Sequence, residues 1–189
     1  MEYCVMSYKA PFATGANWGI MQAGSGLSVL NGIVSVDPSP GIHDVGYFYS
    51  TLTQTNLLLT NIVNCTNTTL SQGVTLVAGT QFTVSKTGNY TINYTIQFDK
   101  TAGGAAANID IWLRLNGVDV ADSNSNFTIS NNNAAQVIAA NYTLTMTAGD
   151  YLELAWHSPS ANAELLAVPA QVGPVRPASP SVRVTLLQV

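Results

Sequence analysis

The stretch GNYTINYTIQFD, residues 88–99, decides the fold. Tyr90, Ile92, Tyr94, Ile96 and Phe98 alternate with Thr91, Asn93, Thr95, Gln97 and Asp99. Successive side chains on a β-strand point to opposite faces, so this pattern gives one apolar face and one wet face. Helical periodicity is almost absent from the chain, and similar alternation recurs on both sides of this stretch. The small-residue loop TAGGAAAN leads to Ile109, Ile111, Leu113 and Leu115, which alternate with Asp110, Trp112 and Arg114 before Asn116-Gly117 turns the chain into Val118 and Val120. After an Asn-rich loop at 130–133, Ile138, Ala140, Tyr142, Leu144 and Met146 share a face. The turn Ala148-Gly149-Asp150 then precedes a strand that buries Leu152, Leu154 and Trp156.

The proline-punctuated segment 169–180 is excluded from central sheet because proline has no backbone donor. It feeds a last strand with Val182, Val184 and Leu186. Upstream, residues 46–55, 57–63, 74–77 and 82–84 supply shorter strands. Eight to ten strands with long crossing connections predict an all-β, two-sheet jelly-roll β-sandwich. Its expected extent is 46–189, preceded by an extended N-terminal arm over residues 1–45.

Within that arm, GSGLSVLNGIVSV (24–36) contains Asn31-Gly32, whose residues tolerate the positive φ angles of a type I′ hairpin turn. A two-residue turn there pairs Leu27 with Val36 and Val29 with Val34, all four on one face. An isolated two-stranded hairpin is marginal in water. Its apolar face is therefore expected to meet another part of the chain, another copy or a different protein.

Charged residues make up only 8% of the chain, against about 25% in ordinary soluble proteins. The surface is accordingly neutral and polar, rich in Thr, Asn, Ser and Gln. A net charge of −4 with six Lys plus Arg argues against a nucleic-acid footprint, which needs clustered basic residues. No stretch approaches a membrane span, and MEYCVMSYKAPF carries neither a basic start nor an apolar h-region, so no anchor and no Sec-type signal is expected. Cys4 and Cys65 are read as free thiols suited to a reducing cytoplasm, with a disulfide as the alternative. The six N-x-S/T sequons, at Asn64, Asn67, Asn89, Asn93, Asn126 and Asn141, are taken as products of composition, since Asn89, Asn93 and Asn141 fall at or within strands.

Phe82, Gly88, Tyr90, Ile92 and Tyr94 spell F-x5-G-x-Y-x-I-x-Y. This resembles the signature of the complement globular-head and tumour necrosis factor-like jelly rolls, with Ile92 where that family has Phe. The strand ending in Asn116-Gly117 and the pattern of Leu144, Gly149-Asp150 and Leu154 agree with it. A narrower resemblance is to structural proteins of tailed bacteriophages. It is carried by GYFYST-x-TQT, IDIWLRLNGVDV (109–120), AGDYLELAW (148–156), PSVRVTLLQV and the G-S-G-L-S-V-x-N-G phrase. The resemblance implies a homotrimer and a place in the virion, assembled in the host cytoplasm.

Catalysis requires a nucleophile beside a base or a tuned pair of carboxylates. His157 alternates with Glu153, and His43-Asp44 lies in a Gly/Pro-rich linker; both histidines are read as non-catalytic, and no cofactor is expected. Asp122, Asn124 and Asn126, near Asp119, superficially match the start of a calcium loop. Phe127 stands where the glycine should be and Asn133 where the bidentate Glu should be, so a solvated loop is expected and no metal site. Trp112 sits on an otherwise polar face, either tucked under a loop of its own chain or in contact with another copy. The expected interface residues are thus Leu27, Val29, Val34, Val36 and Trp112. The expected function is non-enzymatic: a trimeric capsid decoration or cement protein bound to the major capsid protein or another virion protein. The alternative is a phage neck or tail fibre module that contacts another tail protein or a host glycan.

Overall fold

A computed structural model describes Leu27–Leu30, Ile33–Val36 and residues 43–189. The chain divides into two compact units, Met1–Ile42 and His43–Val189. In the first, β1 (Leu27–Leu30) and β2 (Ile33–Val36) are antiparallel, with Leu27 opposite Val36 and Val29 opposite Val34. That is the register a two-residue turn requires. The side chains of Leu27, Val29, Val34 and Val36, like Cys4, lie outside the described residues.

The second unit is an antiparallel β-sandwich. Its strands are, in chain order, β3 (Val45–Ser50), β4 (Gln54–Thr55), β5 (Asn61–Ile62), β6 (Asn67–Gln72), β7 (Val74–Val77), β8 (Gln81–Val84), β9 (Gly88–Lys100) and β10 (Ala107–Leu115). There follow β11 (Val118–Asp119), β12 (Ser125–Ile129), β13 (Gln136–Met146), β14 (Tyr151–His157), β15 (Ala163–Leu165), β16 (Gln171–Val172), β17 (Val175–Arg176) and β18 (Val182–Gln188). The first sheet runs β4-β15-β9-β18-β3-β6, with β13 also on β9. The second runs β11-β10-β14-β8-β7, with β12 on β10 and β5 on β14.

β9 organises the first sheet: Tyr90, Ile92, Tyr94, Ile96 and Phe98 are all buried, as the alternation requires. They meet Ile109, Ile111, Leu113, Leu152, Leu154 and Trp156 of the second sheet across one continuous core. Phe98 lies between Phe127 and Trp156, at centroid distances of 4.9 and 5.8 Å. Cys65 is a free, buried thiol, pushed up to about 12 by burial and so inert as a thiolate. Asn116 and Gly117 take φ values of 52° and 78°, the left-handed pair expected for the turn into β11.

Three expectations are corrected. Residues 46–55 are not one strand, because β3 stops at Ser50 and resumes only as β4. Residues 57–63 keep strand structure only at Asn61–Ile62, since asparagine side chains take up the backbone groups of the preceding loop. The expected solvated loop beyond Asp122 becomes β12, whose Asn126 sits opposite Asp110. β6 was not anticipated either: its NTTLSQ sequence is almost wholly exposed and has no apolar alternation to read. The 169–180 segment forms a separate two-stranded ribbon, β16 with β17, outside both main sheets.

Where the head begins, Asp44 is a buried hub. Its carboxylate accepts hydrogen bonds from Ser85 Oγ (2.8 Å) and Tyr90 OH (3.1 Å) and pairs with Lys86 Nζ (3.3 Å). Its backbone carbonyl accepts from Gln188 N at 2.8 Å. A Cβ on Gly73, at φ +72°, would stand 2.0 Å from Asp44 Oδ1, so only glycine fits there. Burial pushes the Asp44 carboxyl up, but the bonds from Ser85, Tyr90 and Lys86, with the Lys86 charge, outweigh it and hold it below the ordinary 3.8. A carboxylate depressed in the folded state stabilises fully above its unfolded pKa and loses that contribution as pH falls through the folded value. Urea midpoints measured downward from pH 6 should therefore drop below about pH 4 in the wild type. Asp44→Asn should start lower and show a smaller drop; an identical pH profile would remove Asp44 from this role.

Candidate functional site

β14 runs from Tyr151 to His157, about 20 Å at 3.3 Å per residue, and its two ends mark the two ends of the head. At one end lie His43, Asp44 and the turns at 116–117 and 148–150, the latter two tied by Asn116 Nδ2 to Asp150 Oδ1 at 2.8 Å. At the other end are the 51–60 and 166–181 connections, joined where Ala167 N donates to Thr53 Oγ1 at 3.0 Å and Ser181 Oγ to the Leu52 carbonyl at 2.7 Å.

That second end carries an apolar tip. Leu57, Leu58 and Leu59 are 69%, 51% and 67% exposed, and Leu52 is exposed nearby. Two buried asparagines fix this loop. Asn56 Nδ2 donates to the carbonyls of Ser158 (2.7 Å) and Ser160 (2.8 Å), anchoring it to the segment after β14. Asn56 Oδ1 accepts from Leu58 N (3.1 Å) and from Asn61 Nδ2 (2.8 Å), while Asn61 Oδ1 accepts from Leu57 N (3.1 Å). Leu58 is held at φ 59°, a conformation that L residues other than Asn, Asp and Gly seldom adopt. Strain of this kind persists only where surrounding contacts over-determine it, and here the asparagine clamp does so.

Thr60, at the end of that loop, borders an open cleft of about 420 Å³ on the outer face of the second sheet. Its floor comes from β10 and β14, where Asp110 stands directly across from His157 and Trp112 from Ala155. Its far wall is the 119–124 segment, with Asp119, Val120, Asp122 and Asn124. Trp112 is half-buried, and its Nε1 donates to Asp119 Oδ1 at 2.8 Å. Asp119 is in turn held by Arg114 Nε at 3.1 Å, and Arg114 NH1 reaches Glu153 at 3.5 Å. The indole is thereby fixed in place on the sheet. Asp110 Oδ1 accepts from Asn124 Nδ2 (3.0 Å) and Asn126 Nδ2 (2.8 Å), which closes the wall against the floor.

A separate acidic pair sits at the end of the first sheet, where Glu164 faces Asp99 across the β15–β9 ladder. Burial, then the Asp99 charge, raises the Glu164 carboxyl above its ordinary value. Among the described residues no group of three or more His, Cys, Asp or Glu could hold a metal ion.

No family model matches the chain, and no curated protein matches it in sequence. Among solved structures, the crystal structure of murine APRIL at pH 8.5 superposes with a TM-score of 0.50 at 14% identity, covering 78% of this chain and 100% of the other. Murine APRIL at pH 8.0 and at pH 5.0 gives 0.49 and 0.48 at 13% identity, with the same coverage. The head is a tumour necrosis factor-like jelly roll. At such identity the likeness is one of fold alone.

Several sequence-derived sites can now be placed on this jelly roll. Trp112 lies half-buried on β10 with its indole N–H bound to Asp119 of β11. Glu153 is engaged by Arg114 and stands four residues from His157, about 13 Å along the strand, so the two do not form an acid–base pair. The calcium-like string is divided: Asp122 occupies a turn at φ 60°, whereas Asn124 and Asn126 spend their amide groups on Asp110. The Leu tip was missed because 57–59 reads as a strand's apolar run. The flanking Asn56 and Asn61 were the available signal, since asparagine side chains compete with the strand ladder for backbone groups.

Proposed function

We propose that this jelly-roll head is a non-enzymatic assembly module: a homotrimeric decoration or cement protein on the outer surface of a phage capsid, with the major capsid protein or another virion protein as partner. The observation that carries the reading is a pair of surfaces on the first sheet that the described residues leave uncovered. One is the edge of β13 that no described strand pairs, eleven residues without a charge or a proline, backed by the half-buried Ile138, Ala140, Tyr142 and Leu144. Monomeric proteins blunt such edges with Lys, Pro or bulges, so an unprotected one calls for cover. The other is the outer face, where Tyr47 and Tyr49 stack at 6.2 Å, with Arg183 directly opposite Tyr49 and Thr and Asn side chains beyond it. An edge from one copy laid on the face of the next is a heterologous contact, and such contacts form a ring when the rotation between copies closes.

The virion assignment rests on the resemblances carried by IDIWLRLNGVDV, AGDYLELAW and the G-S-G-L-S-V-x-N-G phrase. Three arms per trimer would make attachment multivalent, so weak single contacts suffice. A second reading, a neck or tail fibre module, is favoured by the rigid leucine tip at the end of the head opposite His43. Quantitative mass spectrometry of purified particles separates them. Copies in proportion to the major capsid protein support decoration, a handful per particle supports neck or tail, and absence from the particle overturns both.

A further inference from the structure

We propose that the cleft beside Trp112 binds a neutral saccharide. The site lies on the second sheet, away from the surfaces assigned to assembly, so it stands whichever place in a particle the head occupies.

The first observation is the aromatic. Trp112 is a half-buried indole on the solvent side of a sheet, and Asp119 and Arg114 hold it in one orientation. An aromatic ring fixed before a ligand arrives offers contact area at little cost in conformational entropy. The second is the set of polar groups left over around it. Asp110 spends Oδ1 on Asn124 and Asn126, which leaves Oδ2 without a hydrogen bond among the described residues. The side chains of Asp122, His157 and Thr60, which line the same cleft, likewise make no hydrogen bond among the described residues. A carboxylate accepts several hydrogen bonds, and those it accepts are charge-assisted and strong. The third is size: about 420 Å³ lies within the roughly 300–1,000 Å³ of small-ligand sites.

Charge then selects among ligands. Three carboxylates border the cleft, and the one nearby guanidinium, Arg114, is already paired with Asp119 and Glu153. Phosphates, sulfates and acidic sugars are repelled. What fits is an uncharged molecule with many hydroxyl donors for the carboxylates and a C–H face for the indole, which describes a hexose or N-acetylhexosamine ring. A quaternary ammonium would also suit an aromatic beside carboxylates. It would leave the hydroxyl of Thr60 unused, and it is the competing ligand in the test.

Saturation-transfer NMR on the full chain reads the proposal, with methyl glycosides of neutral hexoses and N-acetylhexosamines at about 20 mM, enough to occupy a site of millimolar Kd. At least one glycoside should receive saturation, strongest at its ring C–H protons. Trp112→Ala should weaken its Kd roughly tenfold or more, as loss of a central aromatic anchor does. Asp122→Asn should weaken it by roughly tenfold through loss of charge-assisted bonds. Asp122 is exposed at φ 60°, a conformation asparagine tolerates, so this variant should keep the wild-type melting temperature and decide the matter even if Trp112→Ala misfolds. Absence of saturation transfer across the panel, equal affinity in wild type and Asp122→Asn, or choline binding more tightly than every glycoside would each overturn it. None of these outcomes bears on the copy number in the particle.

Discussion

Phe98→Ala is expected to destabilise the head by about 3–5 kcal/mol, the range for deleting a buried aromatic. Phe98 is fully buried at the end of the core-facing row of β9 in the first sheet, and its ring reaches across the core to two strands of the second, Phe127 on β12 and Trp156 on β14. Truncation removes the transfer free energy of the ring and leaves a void lined by two large aromatics. Neither can swing in to fill it, because each is fixed on its own ladder: Trp156 opposite Ile111 and Asn61, Phe127 opposite Ile109. Urea denaturation at one fixed protein concentration measures the loss, the fixed concentration being needed because assembly adds to apparent stability. A shift below about 1 kcal/mol would show that the site collapses and that the two sheets do not depend on this ring. Leu57→Ala, on the exposed tip, serves as the contrast and should stay within about 0.5 kcal/mol.

Deleting residues 1–40 is the variant expected to abolish incorporation into the particle while leaving a folded trimeric head. The head's ladders, core and Asp44 hub all lie within His43–Val189, so the deletion removes none of the contacts described for that unit. What it removes is the β1–β2 hairpin, a two-stranded element too small to be stable without a partner surface. Sedimentation and circular dichroism should report an unchanged trimer and fold. Particle association should fall to background. Normal incorporation would reassign the hairpin to packing against its own jelly roll, and a head that fails to fold would show that residues 1–40 belong to the core.

The sheet strands that were legible in the sequence share one property: both of their faces are decided by a local pattern. Tyr90 to Phe98 and Ile109 to Leu115 alternate cleanly because one side meets the core and the other water, and a shift by one residue would invert every side chain. The segments that were misread lack that contrast. β6 is exposed on nearly every residue, β12 has only Phe127 and Ile129 at its end to mark an inner face, and the 57–59 leucines form an apolar run whose direction no periodicity fixes. The run became a loop because Asn56 found the carbonyls of Ser158 and Ser160, more than 100 residues along the chain.

The sequence by itself thus determined an all-β jelly roll, its central strands, the hairpin register and the turn at Asn116-Gly117, because side-chain period and left-handed turn residues act over a few positions. Only the tertiary structure decided the leucine tip and the saccharide cleft. The cleft draws Thr60, Asp110, Trp112, Asp122 and His157 from four separate stretches of chain. Its chemistry depends on which polar atoms are already spent on neighbours, and hydrogen bonds between residues distant in sequence are settled by strand pairing rather than by any local pattern.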